Sequence, residues 1–358
     1  MRHLSNPVDA IKYAGEQARL FARTYSLLRK LSSINGAGVD ADLLNRTMYN
    51  SEFLPPLGKE YWWFLFFCGD KRQLMLLIYR KNGQSMVFNG EDIALRKINK
   101  NEHLAVTACW IYDGKEMHDF GASNSVVSTS QQEKTLVSQI GEERITLKGE
   151  FPTYELEIGR IVHLKMNEGS LLEKKCAHGV LIPPFGIGWT DVFSNTEGEV
   201  LGKAFTGTAH LQKVVGIIPY GPFHWARVIF RNGSMFSFFG LKAGKDSKRC
   251  FRVSVNFYNH DEGTHIRFRK PRLRIEREND KKCAWRIDAY DRDHKLRMLL
   301  TSYTEKTFTM VGGGSQTYVE YAVTPEEFQL ETEGHVITLK DLGEGVGTLE
   351  NAYGSPIS

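Results

Sequence analysis

Two stretches of similar sequence, IYRKNGQSMVFNG (78–90) and IFRNGSMFSFFG (229–240), decide the fold class. Each reads as an aromatic strand, a basic residue, an Asn-Gly pair and a Ser-Met-aromatic return. Asn-Gly is a strong two-residue hairpin signal because a type I′ turn needs positive φ at both central positions. A Trp-bearing segment precedes each stretch, Trp62-Trp63 in one case and Trp225 in the other. The two stretches begin at residues 78 and 229, a domain-sized interval. Two similar antiparallel β-barrels in tandem are therefore expected.

The pattern extends outward from these two places. From Lys59 onward, aromatic and β-branched runs recur every ~8–12 residues with Gly, Asn or Asp between them, as in an all-β barrel or sandwich. Examples are LAVTACWIYDG, YELEIGRIVHLKM and RVSVNFYN. No helix-period segment separates them, so an alternating βαβ architecture is disfavoured. Before Lys59, Ile11, Ala14, Ala18, Phe21, Tyr25 and Leu28 repeat at three- and four-residue steps and predict a helix over 5–32. A short helix is expected around Asp40–Met48. The predicted division is a helical segment at 1–55, a first β-barrel at 56–197 and a second at 198–358.

The composition is that of a folded globular chain: 358 residues, a net charge of +4 and 41% hydrophobic residues exclude disordered and collagen-like classes. The aromatic share, 11%, is concentrated in the strand runs, where a cavity would find its walls. The longest apolar run, Tyr61 to Cys68, is far short of the ~20 residues that cross a bilayer. Met1 to Ser5 lead into an amphipathic segment, which reads against a secretory leader. Five widely spaced Cys with no CxxC pair fit a reducing, cytoplasmic setting.

The average charge hides a basic segment. Lys242 to Arg297 carry 17 Lys or Arg against 9 Asp or Glu. At its centre, basic residues alternate with Ile266, Phe268, Leu273 and Ile275, the pattern of a strand with a solvated basic face and an apolar core face. Contact with an anionic membrane surface and contact with a diphosphate-bearing substrate are the alternatives, and nucleic acid is disfavoured because the interleaved apolar residues suit a core face better than a stacking platform.

Familiar catalytic motifs are absent, and the eleven His show no ligand spacing, so no metal is expected. The richest stretch is GTAHLQKVVGIIPYGPFHWARVIF (207–230), which gathers His210, Gln212, Tyr220, His224, Trp225 and Arg227. Strand alternation puts His210 and Gln212 on one face and Leu211 and Lys213 on the other. Upstream, Trp189 and Asp191 share a face of FGIGWTDVF (185–193). A carboxyl beside a Trp in an apolar cavity would have its pKa raised by desolvation and could protonate an alkene or carbonyl, with aromatic faces stabilising the cation.

With these residues in place, the chain resembles the superfamily of carotenoid 1,2-hydratase (hydroxyneurosporene synthase) and the AttH-like proteins. The likeness rests on Glu60-Tyr-Trp62-Trp63, on Gly207-Thr-Ala-His210-Leu-Gln212-Lys213-Val-Val-Gly216 with its following Trp225 strand, and on Gly345-Val-Gly-Thr-Leu-Glu350. It implies two lipocalin-type barrels and relatives that act as hydratases or cyclases without a cofactor. The hydratase motif departs here, with Gln212 where an Asp would stand and Lys213 where a His would stand, so the hydratase acid does not carry over.

The resulting expectation is an enzyme that holds an apolar molecule, isoprenoid or polyketide-like, and cyclises, isomerises or hydrates it. Glu60, Asp191, His210, Gln212, Tyr220, His224 and Glu350 are the polar candidates. Trp62, Trp63, Trp189, Trp225 and Arg227 are the candidate ligand wall. The rival reading is a non-catalytic carrier of hydrophobic ligands that works at a membrane surface.

Overall fold

Strand alternation sorts the side chains onto two faces. Along Gly58–Cys68, Trp62, Phe64 and Phe66 point into a core shared with Ala209 and Leu211 of Lys203–Ile217 and Val192 of Phe185–Val200. Trp63, Leu65 and Phe67 point to the opposite face. The computed structural model describes residues 7–33, 40–51, 54–99, 101–168, 177–182, 185–244, 247–279 and 283–355.

Ten antiparallel strands close into a first barrel. Gly58–Cys68 lies between Gln73–Lys81 and Lys203–Ile217, and the ring closes where Phe185–Val200 pairs with both Lys203–Ile217 and Val162–Glu168. The main path of the second sheet has nine antiparallel strands, with Phe223–Phe230 and Gly345–Ser355 near its middle. This sheet curls back on itself. Ile275 N–H donates to the Lys248 carbonyl at 3.0 Å, and Arg249 bridges to Arg274. Inside lie Phe236, Phe238, Phe257, Met298 and Leu330.

The outer face of the first barrel packs on the outer face of the second. Trp63, Leu65, Met75, Leu77 and Trp110 meet Ile229, Met235, Phe308 and Met310 along this seam. Gln73 Nε2 crosses it to donate to the Gly347 carbonyl at 2.9 Å. Two motif glycines allow close strand approach. A Cβ at Gly207 would fall 1.9 Å from the Phe67 carbonyl oxygen, and one at Gly347 would fall 2.1 Å from that of Arg227.

Three expectations need correction. Residues 229–240 do form a hairpin between Phe223–Phe230 and Met235–Lys242, turned by Gly233 at φ 87°. Residues 78–90 do not. After Asn82-Gly83 the chain leaves the first barrel, and Ser85–Phe88 pairs with Glu91–Ala94 and with Met310–Val311 of the second sheet. Neither Asn82 nor Asn232 has positive φ, so neither turn is type I′. The predicted junction at 197/198 also falls inside a paired hairpin, Phe185–Val200 with Lys203–Ile217. The chain passes from the first sheet to the second between Ile217 and Phe223.

The helical segment forms as Pro7–Ser33 and Ala41–Met48, the latter capped by the Asp40 carboxylate accepting from Leu43 N–H at 2.8 Å. Only the C-terminal half of the long helix is well covered. Leu28 and Leu31 are buried over Gly186 and Gly188, whereas Ile11 is 73% exposed. In the basic segment, Phe268, Leu273 and Ile275 are buried in the second core while Arg267, Arg272 and Arg274 face solvent.

Candidate active site

The structure divides the sequence candidates among three places. Glu60 and Trp62 lie inside the first barrel, His224 lies inside the second, and the others lie on the seam between them. Glu60 is fully buried and bonded to Arg80 Nε and, at 2.7 Å, to Lys213 Nζ. Lys213 also sits 3.0 Å from the centre of the Trp62 ring, and Trp62 Nε1 donates to the Met48 carbonyl at 2.7 Å. Here a Lys stands where the hydratases carry a His, and it is spent on an internal ion pair. His224 Nδ1 is 3.4 Å from the Glu350 carbonyl oxygen, and its ring meets Trp285 edge-on. Burial, with the Lys242 charge, pushes its pKa down to about 3.

On the seam, Asp191, Gln212 and Trp63 are register partners across three adjacent strands and so share a face. Asp191 Oδ1 accepts from Gln212 Nε2 at 3.0 Å and lies 2.7 Å from His210 Nε2. Its Oδ2 accepts from Trp189 Nε1 at 3.0 Å and lies 3.3 Å from His178 Nε2. From the second barrel, Arg227 brings Nη1 to 3.8 Å from Asp191 and 2.8 Å from His210 Nε2. Phe193 stacks on the His210 ring at 4.6 Å, and Trp225 stacks beyond it at 6.1 Å. One nitrogen cannot donate to Asp191 and accept from Arg227 at once. With its hydrogen on Nε2, His210 bonds Asp191; with it on Nδ1, Nε2 accepts from Arg227.

The expectation of a raised Asp191 pKa is overturned. Burial alone would favour the neutral acid, but the Arg227 charge, the His210 hydrogen bond and the charges of His210 and His178 outweigh it. Asp191 is therefore held far below the usual carboxylate range and is a fixed anion, not a proton donor.

The raised carboxyl is elsewhere on the seam. Glu350 of Gly345–Ser355 is paired in register with Trp225 on one side and with Glu320 on the other, which puts all three on one face. Both acids are buried. Burial pushes Glu350 up to about 8. Burial and the Glu350 charge push Glu320 well above its ordinary value. Tyr61 and Tyr318, both half-buried, lie close enough that burial and these two carboxyls drive their phenol pKa values up. Tyr220 sits farther along, its hydroxyl 3.0 Å from that of Tyr79 and its ring 3.4 Å from Lys59 Nζ.

Glu320, His178 and Tyr61 were not found from sequence. Glu320 had a readable signal, as the single acid in the run Tyr318-Val-Glu-Tyr-Ala-Val323. Trp62, Trp63 and Trp225 pack against protein neighbours. Trp63 meets Trp110 edge-on at 6.4 Å, and Trp225 also lies against Arg227 at 5.3 Å.

No protein-family model matches this sequence, and no curated protein matches it either. Solved structures do. CghA in complex with Sch210972 superposes with a TM-score of 0.53 over 91% of this chain and 95% of its own, at 10% identity. The chain shares that fold. Kievitone hydratase from Nectria haematococca matches with a TM-score of 0.50 over 90% of this chain and 95% of its own, at 12% identity. A second structure of CghA gives a TM-score of 0.50 at 11% identity, with 91% of this chain and 95% of its own covered. The tandem β architecture implied by the family resemblance is thus the one observed.

Proposed function

We propose that the protein binds an apolar small molecule at the seam between its two barrels and promotes its hydration, isomerisation or cyclisation by proton transfer, without a cofactor. The Glu320–Glu350 pair carries this reading. Two buried carboxyls on one face, with no cation among the groups that set their pKa values, keep a proton near neutral pH. The same face carries Trp225 and borders Tyr61 and Tyr318. That neighbourhood offers an acid, phenol hydroxyls and an aromatic face for a developing cation. Two proteins of the same fold add support: a hydratase by name, and one described in complex with a small molecule.

In the proposed step, the Glu350 O–H bond breaks as a C–H bond forms at an alkene carbon, leaving a cation on the neighbouring carbon. Water then adds and gives its proton to the carboxylate, or the carboxylate takes a proton from the carbon beside the cation, or a second alkene attacks the cation to close a ring and the new cation gives a proton to the carboxylate. The Asp191 anion, fixed by its partners, would orient a polar group of the ligand.

The test begins with organic extraction of the purified full-length protein and mass spectrometry of whatever co-purifies. The extracted compound is returned to fresh protein in D₂O. Deuterium gain by the compound, reduced about 100-fold or more in Glu350→Gln, is the expected result. A compound that is bound yet recovered unlabelled and unaltered removes the enzymatic reading and leaves the carrier. Among the described residues no helix is long and apolar enough to cross a membrane. Flotation with anionic vesicles, comparing the full chain with one lacking residues 1–50, tests the membrane arm of the carrier reading.

A further inference from the structure

Lys59, Tyr61 and Trp63 alternate onto the seam face of Gly58–Cys68. Lys59 is the direct register partner of Lys81 on the next strand, so the two lysines leave the sheet side by side. Like charges directly opposite each other destabilise a sheet, which favours a partner for one or the loss of its proton. Lys81 has the partner. Its Nζ donates to the Gly312 carbonyl of the second sheet at 2.7 Å, a bond that favours the charged form.

Lys59 is half-buried, and its Nζ lies 3.4 Å from the centre of the Tyr220 ring. The ring face steadies the side chain but replaces only part of the hydration that burial removes. Burial, with the Lys81 charge, pushes the Lys59 pKa down to about 7. Nearby, Tyr61, Tyr79, Tyr220 and Tyr318 have raised pKa values and stay neutral, and the Glu320–Glu350 pair beyond Tyr61 keeps a proton. An amine near 7 is about half neutral at pH 7, whereas a lysine at its ordinary value of 10.5 is neutral in fewer than about one molecule in a thousand. Desolvation and a neighbouring cation are the two devices that turn a lysine into a nucleophile, and Lys59 has both.

We propose that Lys59 is a nucleophile that captures an aldehyde or ketone as an imine at the Tyr220 end of the seam. The Nζ lone pair attacks the carbonyl carbon, a C–N bond forms, and a proton passes from nitrogen to oxygen to give a carbinolamine. The new hydroxyl takes a proton from the Tyr220 phenol, whose oxygen is 3.0 Å from that of Tyr79, and leaves as water. The nitrogen then gives its remaining proton to the phenolate, so the net products are an imine and one water. The Tyr220 ring and the stacked rings of Tyr61 and Tyr79 suit a carbonyl compound with an apolar body. The step needs neither the Glu350 proton nor an alkene, so it stands or falls apart from the function proposed above.

Trapping tests the proposal. Full-length protein is treated at pH 7 with one equivalent of benzaldehyde and sodium cyanoborohydride, which delivers hydride to the imine carbon and fixes the adduct as a secondary amine. Peptide mass mapping then locates and times the alkylation of each lysine. Lys59 should react at least about tenfold faster than the exposed Lys115. That advantage should shrink as pH rises from about 7 to about 10, because an ordinary lysine gains free amine over that range and Lys59 already has it. Lys81→Gln removes the repelling charge and should slow Lys59 at pH 7 at least about threefold, with Lys115 unchanged. Lys59 reacting no faster than Lys115 in wild type, an advantage that does not change with pH, or an unchanged Lys59 rate in Lys81→Gln each overturns the proposal.

Discussion

Asp191 and Glu350 are buried carboxyls on the same seam, yet they hold opposite charge states. Asp191 has Arg227 close by, His210 at 2.7 Å, and indole and amide N–H donors from Trp189 and Gln212. Glu350 faces a second carboxyl, Glu320, and two phenols. Burial raises both; at Glu350 nothing opposes it, whereas at Asp191 cationic neighbours and a hydrogen bond outweigh it. A single strand pair of the second barrel delivers both outcomes, because Arg227 and Trp225 are two residues apart on one face, and one reaches Asp191 while the other lies beside Glu350.

The contrast breaks most visibly under neutralisation. Asp191→Asn keeps the shape but leaves the buried Arg227 charge without its anion, and removing one partner of a buried pair costs about 3–5 kcal/mol. Glu350→Gln at neutral pH replaces a carboxyl that is already neutral, and should cost under about 1 kcal/mol. Urea unfolding of the two variants beside wild type measures both. Similar losses would mean that the two sites hold the same charge.

A pH series sharpens the same difference. The Glu350 pKa is raised from 4.5 to about 8. The folded state therefore holds a proton that the unfolded chain has lost, so this contribution to stability is complete below about pH 4.5 and disappears as pH rises through about 8. Asp191 works in reverse, contributing above its ordinary value of 3.8 and losing that contribution only in stronger acid. His103 and His224, with lowered pKa values, oppose the Glu350 slope below their ordinary value of 6.5. For that reason the difference between wild type and Glu350→Gln is the quantity to plot. It should change by on the order of 2–3 kcal/mol between about pH 5 and pH 8, with wild type losing ground as pH rises. Parallel curves would remove the protonated pair.

How much of this could be read from sequence follows from what is local. Strand alternation placed His210 and Gln212 opposite Lys213 and marked the Trp225 hairpin, because both depend on neighbours a few residues away. The fate of residues 78–90 did not follow. Gln73–Lys81 and Ser85–Phe88 have hairpin chemistry, but Phe88 finds Phe308 in the other sheet, where the rings stack at 5.8 Å. The sequence places Asp191 beside Trp189, whose indole does donate to it, but reads the direction of its pKa shift wrongly. The deciding partner, Arg227, lies 36 residues away in the other sheet. Glu350 comes from a motif likeness; Glu320 is legible as the lone acid of its run, but only the pairing of the two strands places it beside Glu350.

The smallest expected effect isolates one of the bonds that keep Asp191 ionised. Trp189 Nε1 donates to Asp191 Oδ2 at 3.0 Å from a half-buried position. A hydrogen bond to a charged group contributes about 1.5–3 kcal/mol when buried, and partial solvent access lowers that to about 1 kcal/mol. Trp189→Phe alone confounds the bond with lost ring area, so the informative measurement is a cycle with Asp191→Asn. If the indole works by holding the anion, the loss on Trp189→Phe shrinks by about 1 kcal/mol once Asp191 is neutral. Additive losses would reduce Trp189 to packing and leave Arg227, His210 and His178 as the groups that set the Asp191 charge.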